Sequence, residues 1–241
     1  MSEVSDLMMA HRSIRKFSDQ KISASDFATI IKASKSAATS SFLQCVSIIR
    51  ITDIALRDDI MALCANQSYI AQAAEFLVFC IDFNQHKTLV PDGHFGYSEQ
   101  VLLGAIDAGL MGQNALLAAQ SLGLGGVFIG AMRNNPDQIA KRLKLPDQVF
   151  ALFGLCLGYP EQDPQLKPRL PDDILVHNNY YQALDMTQLA QYDQEVRAYY
   201  AKRSNGKNST NWSDDIAAKL AKEARPFIQD CLKKQGFMTV K

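Results

Sequence analysis

The chain has 241 residues, of which 47% are hydrophobic and 21% are charged, and this composition is typical of a folded globular protein. Its 25 basic and 25 acidic residues give a formal net charge of zero, which argues against a nucleic-acid-binding protein held by overall charge. The same neutrality gives no long-range attraction to anionic membranes, so an anionic ligand has to be recognised by local clusters of charge.

A short helix over 3–10 is predicted first, and it leads into the segment HRSIR. Ser23 and Asp26 form a capping box, which predicts a helix over 24–35. A hydroxyl-rich turn then precedes a predicted strand over 45–51, which is rich in β-branched residues. Further elements of the predicted core are a helix at 53–64, a strand at 75–82 buried on both faces, a long helix at 98–122, a strand at 126–130, a helix at 136–144 and a strand at 149–157.

The helix at 98–122 is apolar nearly all round, so we expect it to be buried. Its glycines and alanines would also allow the close approach of another helix, which makes it a candidate dimer interface. The glycine-rich run at 121–126 follows a helix rather than a strand, and position 128 is Phe, so it does not fit a dinucleotide-binding fingerprint. No P-loop or nucleophile elbow is present either.

The chain changes character after Pro160. A loop rich in Pro, Asp and Asn is predicted over 160–182, and helices are predicted over 187–202 and 213–235. We expect Ser213 and Gly236 to cap the last helix and Pro226 to bend or break it. Because no strand accompanies these helices, we expect them to wrap the rest of the fold or a partner subunit.

The sequence also predicts a soluble protein of the cytoplasm. Its five cysteines are widely spaced and form no C-x-x-C pair, so we expect small buried thiols. The first residues carry acids where a signal peptide needs cations, and the apolar run at 149–160 is shorter than the roughly 18 residues of a spanning helix. His86 and His94 lack ligand-like spacing, so no metal is expected.

Two local clusters of positive charge point to an anionic ligand. The first is the segment HRSIR, with His11, Arg12, Ser13 and Arg15, and the second is Lys167-Pro168-Arg169. A phosphomonoester carries nearly two negative charges, and charge-assisted bonds to it contribute roughly 1.5–3 kcal/mol each. The residues alone allow either a shared phosphate site or two solvated surface clusters. The turn at 39–41 and Gln67 likewise allow either contacts to a larger ligand or simple turn chemistry.

Six linked stretches resemble the oxygen-insensitive, NADPH-preferring nitroreductase and flavin reductase family that binds FMN: HRSIRKF, TSSFLQCVSIIRIT, AAEFLVFCIDF, MGQNALLAAQSLGLGGVFIG, LFGLCLGYP and LKPRLP. They follow the family's order and spacing from about residue 5 to about residue 237. The resemblance implies a homodimer of an α+β fold, an α/β/α sandwich around a mostly antiparallel sheet. It also implies one nitroreductase domain over 1–241, with a core of about 1–160 and an extension of about 161–241 that wraps the partner.

The same resemblance implies tightly bound FMN. Its phosphate and ribityl chain would be held by His11, Arg12, Ser13, Arg15, Lys167 and Arg169. Other implied FMN contacts are Thr39, where relatives commonly have Ser, together with Ser41, Gln67, Tyr69 and the backbone of Phe128, Ile129, Gly130 and Ala131. Relatives usually carry Gly at the last of these positions, so Ala131 fits only if its φ is below zero or the strain is tolerated.

On the substrate side the resemblance implies Ser41, Phe42, Glu99 and Arg225. From the residues alone, Glu99 is also a helix-start charge and Arg225 a helix-surface residue. Arg203 matches the residue that grips the 2′-phosphate of NADPH, and Lys207 lies in the same basic patch. Asn208 and Ser209 replace further basic residues of relatives, which would weaken the preference for NADPH over NADH.

The resemblance implies an oxidoreductase with a ping-pong reaction. NADPH would give a hydride to flavin N5, and small-molecule acceptors such as nitroaromatics, quinones, free flavin, azo dyes or chromate would then take two electrons. One alternative within the family is a reductase that supplies free reduced FMN. An alternative of another class is a flavin-binding carrier or sensor without turnover.

Overall fold

The computed structural model describes residues 2–240. The chain divides into two compact units. The first unit contains the residues up to Asp163 and those from Arg225 onward, and the second contains Pro164–Ala224. The chain therefore leaves the first unit, builds the second, and returns.

The first unit contains both helices and strands. Its strands are β1 (Val46–Arg50), β2 (Glu75–Asp82), β3 (Gly125–Ile129) and β4 (Val149–Gly158). Its helices before the second unit are α1 (Glu3–Met9), α2 (Ala24–Lys35), α3 (Ile54–Leu63), α4 (Tyr69–Gln72), α5 (Asn84–Leu89), α6 (Ser98–Ser121) and α7 (Pro136–Leu143). The second unit contains α8 (Asp172–Leu175), α9 (Met186–Arg203) and α10 (Trp212–Leu220), and α11 (Ile228–Lys234) follows in the first unit.

The sheet of the first unit has the order β1-β2-β4-β3, and each neighbouring pair is antiparallel. This confirms the predicted antiparallel sheet. β2 is central and all eight of its residues are buried, as its continuous apolar run predicts. β3 is an outer strand whose only pairing partner among the four strands is β4, so its second edge is open to other groups.

The long helix α6 is not buried all round. It packs against β2 and α2, and Gly104 permits the contact because a Cβ there would lie 2.4 Å from Ile81. On the opposite face Leu102, Ile106 and Leu110 are 58%, 57% and 44% exposed. The prediction of a fully buried helix is therefore wrong for the single chain, because the sheet covers only one face.

α6 is also long and apolar enough, by length and composition, to cross a membrane. Two polar residues on its packed face, Gln100 and Asp107, are buried and hydrogen-bonded within the domain. The helix thus contributes one face to the domain core, and its apolar composition reflects that packing.

The caps and breaks of the helices follow from local chemistry. Ser23 caps α2 by accepting a hydrogen bond from the amide of Asp26 at 3.0 Å, as predicted. The helix predicted over 213–235 is instead two helices, α10 and α11, with Pro226 in the break. Its N-cap is Asn211, which accepts from the amide of Asp214 at 2.7 Å, so the prediction of Ser213 is wrong. Gly236 follows α11 with a φ of 82°, which suits its predicted role.

All five cysteines are free and buried, as predicted. Burial raises their thiol pKa values, for example to about 12 for Cys64. These side chains therefore act as small neutral components of the core.

Candidate functional site

The segment HRSIR lies along the open edge of β3. The amide of Ile14 donates to the carbonyl of Gly126 at 3.0 Å, and Ser13 and Gly126 form a parallel bridge. The side chain of Ile14 is buried in the core, and Phe17 is bridged to Pro160 farther along. The polar residues around Ile14 are therefore fixed at the sheet edge.

The glycine-rich run explains how this segment comes so close. A Cβ on Gly125 would lie 2.5 Å from Cγ1 of Ile14, and a Cβ on Gly126 would lie 2.8 Å from the carbonyl oxygen of Cys156. Real Cβ atoms do not make such contacts, so a side chain at Gly125 would separate the segment from β3, and one at Gly126 would push β3 away from β4. The two glycines thus serve close packing of backbone rather than a dinucleotide-binding turn.

The side chains of HRSIR are partly engaged. His11 Nδ1 and Gln120 Nε2 are 3.1 Å apart, and Arg12 forms an ion pair with the exposed carboxylate of Asp163. The Nε of Arg12 is buried and has no hydrogen-bond partner among residues 2–240. Arg15 is exposed. A buried guanidinium N–H without an acceptor is suited to an anionic oxygen, since an unmade hydrogen bond there costs free energy.

The backbone from Phe128 to Ala131 continues from this edge. The carbonyl of Gly126 points toward Ile14, away from β4. Because the direction of the backbone polar groups repeats every two residues in a strand, the N–H and C=O of Phe128 also point away from β4. A Cβ on Gly130 would meet only Arg133 Nη2, at 3.6 Å, so the packing of the chain does not itself require glycine there. Ala131 is buried and its φ is not positive, which satisfies the condition set by the sequence.

The turn at 39–42 is attached to α6 through Asp107. The hydroxyl of Thr39 donates to Asp107 Oδ2 at 2.6 Å and accepts from the amide of Gln44 at 3.0 Å. Ser41 and Phe42 are exposed, and Phe42 is 78% exposed. Sequence reasoning missed Asp107, although it is the one acid in the interior of α6.

Four further predicted residues also belong to the first unit. The carbonyl of Gln67 accepts from the amide of Ile70 at 2.9 Å, and Tyr69 packs against the core. Glu99 is exposed in the first turn of α6, where an acid favours the helix dipole. Arg225 lies between α10 and α11, so the alternative of a helix-surface residue is wrong.

The guanidinium of Arg225 contacts the turn that follows β3. Its Nε and Nη2 donate to Asn134 Oδ1 at 3.1 and 2.8 Å, and Nη2 lies 3.4 Å from the carbonyl oxygen of Gly130. Arg133, in the same turn, donates to the carbonyl of Leu152. Its burial, and to a smaller extent the positive charge of Arg225, lower the pKa of the Arg133 guanidinium. Arg225 and Gly130, predicted from distant parts of the sequence, therefore lie together.

The second unit carries the other predicted cations. The Nζ of Lys167 donates to the hydroxyl of Tyr200 at 2.7 Å, and the carbonyl of Pro168 accepts from the hydroxyl of Tyr192 at 3.2 Å. Burial raises the pKa of Tyr192, and the positive charges of Lys167 and Arg169 oppose that rise. Arg169 itself is exposed. The segment is thus attached to α9 with its cations near the surface.

The basic patch that the sequence resemblance assigns to NADPH lies at the end of α9. Arg203 is in the last turn, where its Nη1 donates to the hydroxyl of Tyr199 at 3.1 Å, and Lys207 is exposed in the following loop. Within residues 2–240, no group of three or more His, Cys, Asp or Glu side chains could hold a metal ion. The structure therefore groups 11–15 with 126–130 in one unit, and 167–169 with α9 in the other.

Comparison with known protein families covers nearly the whole chain. Residues 8–159 match the Nitroreductase family, and residues 167–240 match the Nitroreductase family, C-terminal domain. The chain belongs to the nitroreductase family. The resemblance drawn from its sequence stretches is thereby confirmed.

Individual members of the nitroreductase family are similar over their full length. The oxygen-insensitive NADPH nitroreductase of Salmonella typhimurium is 52% identical over 239 residues, which cover 99% of this chain and 100% of that relative. The crystal structure of nitroreductase A from Vibrio parahaemolyticus matches with a TM-score of 0.95 and 45% identity over 100% of both chains. The NADPH:FMN oxidoreductase from Vibrio harveyi complexed with NAD+ has a TM-score of 0.94 and 44% identity, covering 99% of this chain and 100% of that one. The predicted α+β fold is confirmed.

Proposed function

We propose that this protein is an FMN-dependent NADPH oxidoreductase that reduces nitroaromatics, quinones and related acceptors by two electrons. The names of its relatives, which include an NADPH nitroreductase and an NADPH:FMN oxidoreductase, support the reaction class. The proposal depends on one structural observation. The segment that contains Arg12 and Arg15 is fixed beside the outer edge of β3, and this strand is followed by Gly130, where packing does not require a glycine.

The residues of this edge fit FMN. The Nε of Arg12, which is buried and has no hydrogen-bond partner within residues 2–240, offers a donor for a phosphate together with Ser13 and the exposed Arg15. The outward-facing backbone of Phe128 and the open space at Gly130 would allow a flat ring to approach closely. When bound, FMN supplies the redox chemistry by taking a hydride from NADPH and passing two electrons to the acceptor.

The other predicted residues complete this proposal. Lys167 and Arg169 would join the phosphate clamp, and Thr39, Gln67 and Tyr69 would border the cofactor. Ser41, Phe42, Glu99 and Arg225 would line the side from which donor and acceptor approach. Arg203 and Lys207 would bind the 2′-phosphate of NADPH, because two cations on one patch favour a dianion.

We also infer a cytoplasmic homodimer of a single nitroreductase domain, in which the extension of about 161–241 wraps the partner. The exposed apolar face of α6, with Leu102, Ile106 and Leu110, supports the dimer because monomers rarely leave such a face in water. The free, buried cysteines support a reducing compartment.

The decisive test is the visible spectrum of the purified protein. A flavin absorption band that NADPH bleaches anaerobically, and that a nitroaromatic such as nitrofurazone restores, is the expected result. A protein that stays colourless after incubation with FMN would contradict the proposal. Bleaching without recovery on any acceptor would instead favour a carrier or sensor.

The phosphate clamp has a more specific test. Arg12→Ala should raise the Kd for FMN by about tenfold or more, since one charge-assisted hydrogen bond is lost. Affinity for riboflavin, which has no phosphate, should change little. Lys16→Ala is the matched control, because Lys16 is an exposed cation of the same segment. Equal losses for FMN and riboflavin would argue against a phosphate contact.

The Vibrio harveyi relative makes free FMN a second candidate acceptor. Steady-state kcat/KM values for FMN and for nitrofurazone, measured side by side, decide between the two. A much higher value for FMN would mean that the enzyme supplies reduced flavin.

A further inference from the structure

Asp107 is a charged residue in an apolar environment. It lies in the middle of α6, is 1% exposed, and shares the buried face of the helix with Gly104 and Ala108. Burying a carboxylate costs free energy of folding unless several hydrogen-bond donors satisfy it. The identity of these donors therefore indicates which part of the structure Asp107 holds.

Within residues 2–240, the donors to Asp107 belong to the loop Thr39–Cys45. Asp107 accepts from the hydroxyl of Thr39 at 2.6 Å, from the hydroxyl of Ser40 at 3.0 Å and from the amide of Ser40 at 3.1 and 3.2 Å. The Cys45 thiol lies 3.9 Å from Oδ2. Burial, followed by the charge of Asp107, raises the pKa of that thiol to about 11, so it keeps its proton and its role as a weak donor.

The loop has an unusual backbone that needs such support. Ser41, Phe42 and Gln44 have φ values of 49°, 57° and 55°, the left-handed region that residues other than glycine rarely adopt. Such conformations persist where the surrounding structure holds them. The loop has a second attachment after Phe42, where His86 Nε2 lies 2.7 Å from the carbonyl oxygen of Leu43.

The conformation of the Thr39–Cys45 loop places two of its side chains at the surface. The carboxylate holds Thr39 and Ser40 inward, and the next two residues, Ser41 and Phe42, point into solvent. Phe42, together with Leu43 and Gln44, lines a cleft of about 550 Å³. An exposed phenylalanine on a strained loop beside a cleft is a feature that folding alone does not require.

We propose that Asp107 is a positioning residue for substrate binding, which holds the Thr39–Cys45 loop so that Ser41 and Phe42 form one wall of the acceptor site. This inference rests on the proposed function, because the same two residues were assigned there to the substrate side. Asp107 is 1% exposed, and in this role it acts through the loop residues that it holds, Thr39 and Ser40.

Asp107→Asn is the principal test. The amide keeps the volume but places an NH2 group among N–H and O–H donors, so it cannot accept all of the same hydrogen bonds. In ping-pong kinetics, kcat/KM for the acceptor and kcat/KM for NADPH report separate halves of the reaction. We expect the acceptor value to fall about tenfold and the NADPH value at most about threefold, since NADPH has additional contacts at its 2′-phosphate.

Hydrogen exchange of the peptide that covers 36–45 gives a readout that does not depend on activity. Its exchange should become about tenfold faster in Asp107→Asn, because the loop opens locally when the carboxylate is lost. If the wild-type protein is not reduced by NADPH, the proposed function fails while this exchange result still tests the loop. Unchanged exchange would overturn the inference in either case.

Ser34→Ala is the matched control. Ser34 is fully buried on α2 and donates to the carbonyl of Met111 in α6 at 2.9 Å, so its loss also removes a buried hydrogen bond to the same helix. It should lower Tm and leave both kcat/KM values and the loop exchange unchanged. If Ser34→Ala and Asp107→Asn behave alike, Asp107 is merely structural and the inference is wrong.

Ser40→Ala covers the case in which Asp107→Asn does not fold. It removes only the 3.0 Å hydroxyl contact to Asp107 and leaves the amide contact in place. We expect a two- to threefold fall in kcat/KM that is confined to the acceptor, with faster exchange of the same peptide, because one of several hydrogen bonds to the carboxylate is lost while the others remain. Unchanged acceptor kinetics in a folded Ser40→Ala protein would overturn the inference.

Discussion

Gly125→Ala tests whether the close packing of HRSIR against β3 builds the proposed FMN site. The added Cβ would lie 2.5 Å from Cγ1 and 2.8 Å from Cβ of Ile14. Because the second atom is next to the backbone, rotation of the Ile14 side chain cannot relieve the contact. The segment must therefore move away from the strand edge, and the 3.0 Å hydrogen bond from the Ile14 amide to Gly126 should lengthen.

The expected magnitudes follow from this clash. Overpacking of this kind costs about 1–3 kcal/mol of unfolding free energy. At about 2–4 °C per kcal/mol for a chain of this size, Tm should fall by about 2–12 °C. Displacement of Arg12 and Ser13 should weaken at least one charge-assisted bond to the phosphate, which raises the Kd for FMN by about tenfold. Thermal unfolding and fluorescence titration of the apoprotein measure the two effects.

Gly123→Ala is the matched control for this prediction. Gly123 has a φ of 78°, and a Cβ there would meet no atom of residues 2–240 within 4 Å. Alanine should therefore cost about 1–2 kcal/mol through backbone strain alone, without touching Ile14. The control should lower Tm and leave the FMN Kd within twofold. If Gly125→Ala loses stability but keeps the wild-type Kd, the segment does not form the FMN site as we argue.

Three further predictions concern other parts of the chain. Arg203→Ala should raise KM for NADPH about tenfold and change KM for NADH little, because one charge-assisted contact to the 2′-phosphate is lost. Arg197→Ala is the control, since Arg197 is an exposed cation of α9 outside the basic patch, and equal changes for both nucleotides in Arg203→Ala would refute the role. Asp137 pairs with Lys234, and this ion pair lowers the pKa of the Asp137 carboxyl below its ordinary value of 3.8. The ionised carboxylate therefore stabilises the fold above pH 3.8, and this stabilisation is lost as the pH falls through the lowered pKa. The Tm difference between wild type and Asp137→Asn should accordingly shrink on acidification, and a constant difference would contradict the ion pair. Native protein at pH 8 should react slowly with a thiol reagent and should expose five reactive thiols on unfolding, because burial raises every thiol pKa, that of Cys45 to about 11. A rapidly reacting thiol in the native protein would contradict the burial of these side chains.

Local chemistry made much of the fold predictable. The boundaries of β2 and α2 follow from an apolar run and from a capping serine, and Pro226 separates α10 from α11 because its ring cannot continue a helix. These features depend on neighbours within a few residues. The N-cap of α10 was placed two residues late because Ser213 and Asn211 are both good caps, and only the backbone decides between them.

What the sequence could not predict depends on contacts between distant residues. The apolar pattern of α6 does not say which face the sheet covers, so the exposed face was missed. Asp107 was visible only as a polar break, since its partners Thr39 and Ser40 are 68 and 67 residues away. The role of Gly125 likewise depends on Ile14, across the sheet edge.

The neutral net charge of the chain is compatible with anion binding because of how individual cations are held. Lys167 and Arg203 each donate to a tyrosine hydroxyl, that of Tyr200 and that of Tyr199. A neutral phenol orients a cation without cancelling its charge, whereas a carboxylate would compete with an incoming phosphate. Arg12 is the exception, because Asp163 pairs with it; that carboxylate is 85% exposed, so water can solvate it when a phosphate takes its place. Equal numbers of acids and bases therefore say little about the local potential, which is set by the residues that hold each cation.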